Sequence, residues 1–166
     1  VVQGDTINVE VDSTYFFGGA VANADVQYNV VSQPYYFDYK GDGYYSFEDY
    51  SPDSGPSAIY GGGGGTVTSG EGTTDASGML VISFPADLQD ATQSQTFTIE
   101  ATVTDESDQA VSGRTTVTVH KGLLYVGVQP EEYVGQAGQE TTANLIAVDW
   151  ESSPIPDQTL QVSVVE

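Results

Sequence analysis

The chain has no cysteine among its 166 residues. That absence removes disulfides, thiolate metal centres and cysteine nucleophiles, and it leaves the compartment open. Positive charge is nearly absent too. Lys40, Arg114 and Lys121 stand against 24 acidic residues, for a formal charge of −21. Such a charge repels phosphate backbones and anionic lipid, which argues against nucleic acid or a membrane surface as partner. A single histidine, His120, is present. Any Ser-His-Asp arrangement has to pass through it, and a zinc centre needs more His or Cys than the chain holds. His120 ends a strand beside Lys121-Gly122, and it reads as a surface histidine at a module junction. No apolar stretch approaches the roughly 18 residues of a membrane span. No basic segment leads into an apolar run near Val1, so a targeting signal for an exported parent is expected upstream. A sustained helical stripe is also missing; Ala86–Ser94 has room for one helical turn.

What is present is alternation with a period of two. Ile7, Val9 and Val11 point one way while Thr6, Asn8, Glu10 and Asp12 point the other. The same pattern returns at Val26-Tyr28-Val30, Leu80-Ile82-Phe84, Phe97-Ile99-Ala101-Val103 and Val117-Val119. Further blocks lie at Leu124–Val128, Ala143–Val148 and Leu160–Val164, with breaks at Gly18-Gly19, Asp75–Gly78, Glu106–Gln109, Gly113 and Ser152–Asp157. With 39 % apolar residues, short alternating runs between turn signals predict an all-β fold. The expected form is an antiparallel immunoglobulin- or fibronectin-like β-sandwich, plus part of a second.

An internal repeat sets the organisation. Shifted by 134 residues, Val1–Val31 lies on Gly135–Val165 without a gap. Gly4 falls on Gly138, Val11 on Leu145, Phe16 on Trp150, Val21 on Ile155, Val26 on Leu160 and Gln27 on Gln161. Two domains follow: 1–121, a sandwich lacking its first strand, and 122–166, the opening strands of the next. Three strands rarely bury enough apolar area to fold alone. Leu123–Gln161 is therefore expected to pack on the first module or on a second chain, and an open edge invites a swapped or augmented homodimer.

Between Val31 and Gly78 the pattern changes. A Tyr- and Gly-rich insert, about 34–70, carries Tyr35, Tyr36, Phe37, Tyr39, Tyr44, Tyr45, Phe47 and Tyr50 around Gly41-Asp42-Gly43. It reads as a hairpin turning at Lys40–Gly43 and assigned to the first domain. Ser51–Ser57 reads as a loop and Gly61–Gly65 as a connector without phosphate-loop spacing. Asp38, Asp42, Glu48, Asp49 and Asp53 cluster near glycines, and oxygen ligands suit calcium. Asp38, Asp42 and Asp49 are the metal candidates, although the spacing is not that of an EF-hand. Tyrosines beside acids also suit stacking on sugar rings, but pairing across a hairpin is their commoner use. No catalytic residue or cofactor is assigned.

Several stretches resemble the macroglobulin-like domains of bacterial alpha-2-macroglobulins. Tyr15-Phe16-Phe17-Gly18-Gly19-Ala20-Val21 running on to Asp25-Val26 is similar to the family's strand-turn-strand pattern, with Ala20 in place of the usual proline. Thr74-Asp75-Ala76-Ser77-Gly78 before Leu80–Phe84 resembles its threonine-aspartate-glycine hairpin. Ile99–Asp105 resembles its penultimate strand, and Tyr125–Pro130 with Tyr133-Val134-Gly135 the opening of the next domain. The resemblance implies a segment of a broad-spectrum endopeptidase inhibitor that traps proteases when a bait segment is cut. It implies target proteases and neighbouring macroglobulin-like domains as partners of the parent, and a periplasmic, cell-envelope or extracellular site. Without cysteine the chain cannot hold the family's Cys-Gln thioester, and no bait residue is identified. The rival expectation is an immunoglobulin-like stalk module of a bacterial surface adhesin, stabilised by calcium.

Overall fold

The structure is a computed structural model, and it describes residues 1–48, 65–89, 91–136 and 138–163. Eight strands follow one another: β1 Thr6–Asp12, β2 Asp25–Pro34, β3 Thr66–Thr73, β4 Met79–Pro85, β5 Gln95–Thr104, β6 Ala110–Val119, β7 Tyr125–Pro130 and β8 Ala143–Val148. The described residues contain no helix. The chain divides into two compact units, Val1–Tyr35 with Ser51–Lys121, and Tyr36–Tyr50 with Gly122–Glu166.

The first unit is an antiparallel sandwich. One sheet has the order β3-β2-β5-β6 and the other pairs β1 with β4. The predicted alternation decides which residues face inward. Ile7 of β1, Val30 of β2, Ile82 and Phe84 of β4, Phe97 and Ile99 of β5 and Val119 of β6 form one buried cluster drawn from both sheets. Each such side chain contributes about 1.5–3 kcal/mol by leaving water.

Two of the stretches that carry the sequence resemblance meet at one end of this sandwich. Thr74 is buried, its hydroxyl accepts the Ala24 amide at 2.9 Å, and it donates to the Val21 carbonyl at 2.6 Å. Gly78 sits at φ +80°, and its carbonyl accepts the Ser13 amide at 3.0 Å. A Cβ at Gly78 would strike the Ser13 carbonyl oxygen. Glycine is needed there for both reasons, backbone hand and space.

Three hairpin turns share one device. Asp75 Oδ1 accepts the amides of Ser77 and Met79 at 2.8 and 3.0 Å. Asp105 Oδ1 accepts those of Ser107 and Gln109 at 2.8 and 3.0 Å. Asp149 Oδ1 accepts those of Glu151 and Ser153 at 2.9 and 2.8 Å. In each the third residue after the aspartate, Gly78, Asp108 or Ser152, has positive φ. A short carboxylate that satisfies two amides closes the turn without help from the rest of the fold.

The second unit pairs β7 with β8 and adds the first part of the aromatic insert. Phe37 stacks on Tyr125 with centroids 4.1 Å apart, and Phe47 meets Phe37 edge-on at 5.0 Å. Ser46 and Val128 exchange both backbone hydrogen bonds at 2.9 Å. Gly127 makes the approach feasible, since a Cβ there would lie 2.6 Å from Phe47 Cζ.

The 134-residue repeat is visible bond by bond. Val21 donates its amide to Ser13, and Ile155 donates to Ala147. Tyr15 to Gly19 recurs as Asp149 to Ser153, Gly18 to Tyr15 as Ser152 to Asp149, and Asp5 to Val2 as Gln139 to Gln136. The bridge Thr14↔Ala20 recurs as Val148↔Pro154. Positive φ falls on Gly4 and Gly138, on Gly18 and Ser152, and on Asn23 and Asp157.

Several expectations need correction. Alternation predicts no strand over 66–73, yet β3 lies there. Its glycines hid it: Gly70 is covered by the Tyr28 ring and Gly72 by Leu80, so neighbours supply the bulk that β3 lacks. Gly113, read as a break, lies inside β6 opposite Ala101. The insert bends at Gly41–Gly43, but its flanks form no ladder with each other among the described residues; Ser46 pairs with β7 instead. Its first part therefore lies in the second unit, whereas the sequence reading gave the whole insert to the first. It also packs on β7, through Phe37 on Tyr125 and the Ser46↔Val128 bridge. Leu160–Ser163 is not a strand. Its counterpart β2 is held between β3 and β5, and no such pair flanks Leu160–Ser163 among the described residues. Val164 lies outside them.

Gly78→Ala is expected to cost roughly 2–4 kcal/mol, from left-handed strain plus the backbone clash. Gly113→Ala, where a Cβ meets nothing, is expected to be neutral or to gain about 0.5–1 kcal/mol. Urea denaturation of the two variants checks the contrast; equal losses would refute it.

Candidate functional site

The insert was the sequence's strongest candidate for a ligand. In the structure its half-buried rings face one another: Tyr39 lies 5.1 Å from Phe47 and 5.9 Å from Tyr45, edge-on to the latter. These faces are spent on the packing that covers β7. Tyr36 and Tyr44 are exposed. Lys40 donates its amide to Ser152 Oγ at 3.0 Å, which ties the bend to the Asp149 turn. Ser152 adopts positive φ without being glycine, and this bond is a physical reason to keep a hydroxyl there.

Of the metal candidates, Asp38 and Asp42 are exposed. Asp49 lies outside the described residues, as do Asp53, Ser51–Ser57 and Gly61–Gly64. No group of three His, Cys, Asp or Glu side chains is placed to hold a metal ion among the described residues. Elsewhere acids anchor turns, and Asp75 shows the consequence. The Ser77 hydroxyl, then the amides of Met79 and Ser77, hold its carboxyl below the ordinary carboxylate range.

His120 is not the surface residue that its position suggested. It is buried, with its ring edge-on to Tyr35 at 5.8 Å. Its amide donates to Val1 at 2.8 Å, and its carbonyl accepts the Gln3 amide at 2.9 Å. The charged Lys121 beside it suggests exposure. The Lys121 amide in fact donates to Ser94 Oγ at 3.0 Å, and its ammonium donates to the carbonyls of Ala91 and Thr92 at 3.2 and 2.8 Å. The strand end is thereby drawn against the loop before β5. Burial pushes the His120 imidazole down from its ordinary value.

These pieces define an all-β chain with an antiparallel immunoglobulin-type sandwich. Against known proteins, the sequence matches no family model and no curated protein. Solved structures of Escherichia coli alpha-2-macroglobulin do match the fold. The native conformation, seen by cryo-EM, aligns with a TM-score of 0.63 and 12 % identity over 93 % of this chain and 10 % of that one. The form activated by porcine elastase gives 0.63 and 12 % over 92 % and 13 %. The trypsin-activated crystal structure gives 0.63 and 11 % over 91 % and 11 %. The chain thus spans roughly a tenth of the length of those proteins, and the likeness is one of fold.

A pH dependence follows from His120. The folded chain favours neutral imidazole, so the unfolded chain takes up the proton more readily as pH falls through the ordinary value near 6.5. Stability is full above that value and declines as pH drops through it. Between about pH 8 and about pH 5.5 the wild type should lose more melting temperature than His120→Gln. Parallel thermal-melt curves for the two proteins would contradict this.

Proposed function

We propose that this chain is a non-catalytic structural segment of a bacterial alpha-2-macroglobulin-like protease trap. The observation that supports it best is the TM-score of 0.63 over 93 % of the chain against native Escherichia coli alpha-2-macroglobulin. The repeat adds to it, because the chain carries the same turn twice at a spacing of 134 residues, as tandem modules require. On this reading residues 1–121 and 122–166 belong to successive macroglobulin-like domains. The segment's work is architectural. It holds neighbouring domains at fixed spacing, and target proteases are met by the parent protein in the periplasm, the envelope or outside the cell. Neither a thioester nor a bait residue is assigned to the chain.

The test uses the full-length parent in excess over an endopeptidase. Activity is read on a small chromogenic peptide and on a large protein substrate. A caged protease still cuts the small substrate and spares the large one; loss of neither activity would remove the proposal. Calcium separates the stalk reading. A calcium-dependent module with a dissociation constant near 10⁻⁴ M should gain about 5–10 °C in roughly 10 mM calcium. The trap segment is expected to show no such gain in a thermal melt.

A further inference from the structure

β1 is paired on one side, by β4, and its other edge carries no ladder among the described residues. Beside that edge runs an open cleft of about 290 Å³, bounded by Val9, Val11, Ile99, Val103, Val111 and Thr115. The cleft leaves part of the inner face of β6 uncovered. Val117 and Val119 are partly or fully buried, yet Val111, on the same face and opposite Val103, is 72 % exposed. Among the described residues no strand lies beside β1 on the side of this cleft.

The second copy of the repeat shows what fills the gap. β8 is the counterpart of the β1 end, and β8 is paired on that side by β7. In the β7–β8 register, Val128 faces Leu145, Val126 faces Ala147 and Tyr125 faces Val148. Shifted by 134 residues these partners become Val11, Ser13 and Thr14. Val9 and Val11 point toward the core, so the counterparts of Val126 and Val128 would enter the cleft and cover Val111. In the second unit Val126 and Val128 lie on the face of β7 opposite that of Gly127, where Phe47 packs.

A second observation agrees. Phe16 is 105 % exposed, whereas its repeat counterpart Trp150 is 37 % exposed and donates its indole N–H to the Gly122 carbonyl at 3.1 Å. Gly122 lies just ahead of β7. The tip aromatic of one copy thus has a seat on the segment leading into the strand, and the tip aromatic of the other has none.

We propose that the free edge of β1, from Val9 to Thr14, with its cleft, is a docking slot for one β-strand. The occupant is a strand of this chain's own repeat type, alternating as Tyr125–Pro130 does. It runs antiparallel to β1 with its valines inward and its lead-in under Phe16. Strand addition at a sheet edge supplies backbone hydrogen bonds for affinity and alternate side chains for register.

The full chain is tested with a second copy of residues 122–134 fused ahead of Val1, the spacing that the repeat dictates. The fusion is expected to raise the melting temperature by about 5 °C or more and to slow amide exchange across Val9–Ser13. A matching fusion with aspartate in place of its two inward valines is expected to do neither. Docking within one chain or into a second copy, distinguished by size-exclusion chromatography, supports the slot equally. No gain from the first fusion, or equal gains from both, overturns it.

Discussion

A backbone group at the edge of a β-sheet must pair with another strand or face water, and this constraint governs both units of the chain. β2 and β5 have neighbours on both sides and hold four fully buried side chains, Val26, Val30, Phe97 and Ile99. β7 has β8 on one side, and on the other Ser46 exchanges two hydrogen bonds with Val128. One bridge is a short ladder, but stacked aromatics reinforce it. Phe37, Phe47, Tyr39 and Tyr125 bury their faces on one another over Gly127. Contacts of this kind add about 0.5–1.5 kcal/mol per pair beyond area burial. The insert thus gives a two-stranded sheet the third layer of contact that hairpins need to persist.

Turns set register where the sheets do not. The Asp75, Asp105 and Asp149 carboxylates each satisfy two amides inside their own loop. β4 and β6, which follow the Asp75 and Asp105 turns, therefore start at a fixed position, and a slip by one residue would turn every inward side chain outward. The same chemistry explains part of the acidity. A carboxylate that accepts amides is held ionised, as at Asp75. Its stabilising contribution is present above the ordinary carboxylate range and fades as pH falls through the lowered value.

Much of this was legible in the sequence, for reasons of period and spacing. Inward residues of β1, β2, β4 and β5 follow the alternation, and the repeat register is matched by four pairs of backbone hydrogen bonds. What was hidden depended on partners far along the chain. β3 reads as a polar, glycine-containing stretch, because Tyr28 and Leu80 provide the covering that its own residues do not. The insert reads as a self-contained hairpin, because nothing local reveals that Gly127 leaves room for Phe47. His120 reads as exposed, because Ser94, which accepts the amide beside it, lies 27 residues away. Leu160–Ser163 has the alternation of a strand but not the two flanking strands that hold β2. Alternation predicts which face a strand would bury, and a ladder decides whether the strand forms.

β6 joins these threads. Its composition, with Ser112, Gly113, Arg114, Thr115 and Thr116 in sequence, gives little hydrophobic signal, and it persists as a ten-residue strand through its ladder with β5. Val117 and Val119 enter the core at one end, while Gly113 and Thr115 present small inner faces toward the open cleft. Small residues let a backbone pass close. The outer face carries Arg114, which pairs with Glu100 at 2.8 Å. That exposed pair contributes at most about 1 kcal/mol, but it places one of only three basic side chains across the middle of the β5–β6 ladder. The inner face of β6 thus runs from packed Val119 and Val117 through Thr115 and Gly113 to the exposed Val111, beside the edge of β1 that carries no ladder among the described residues.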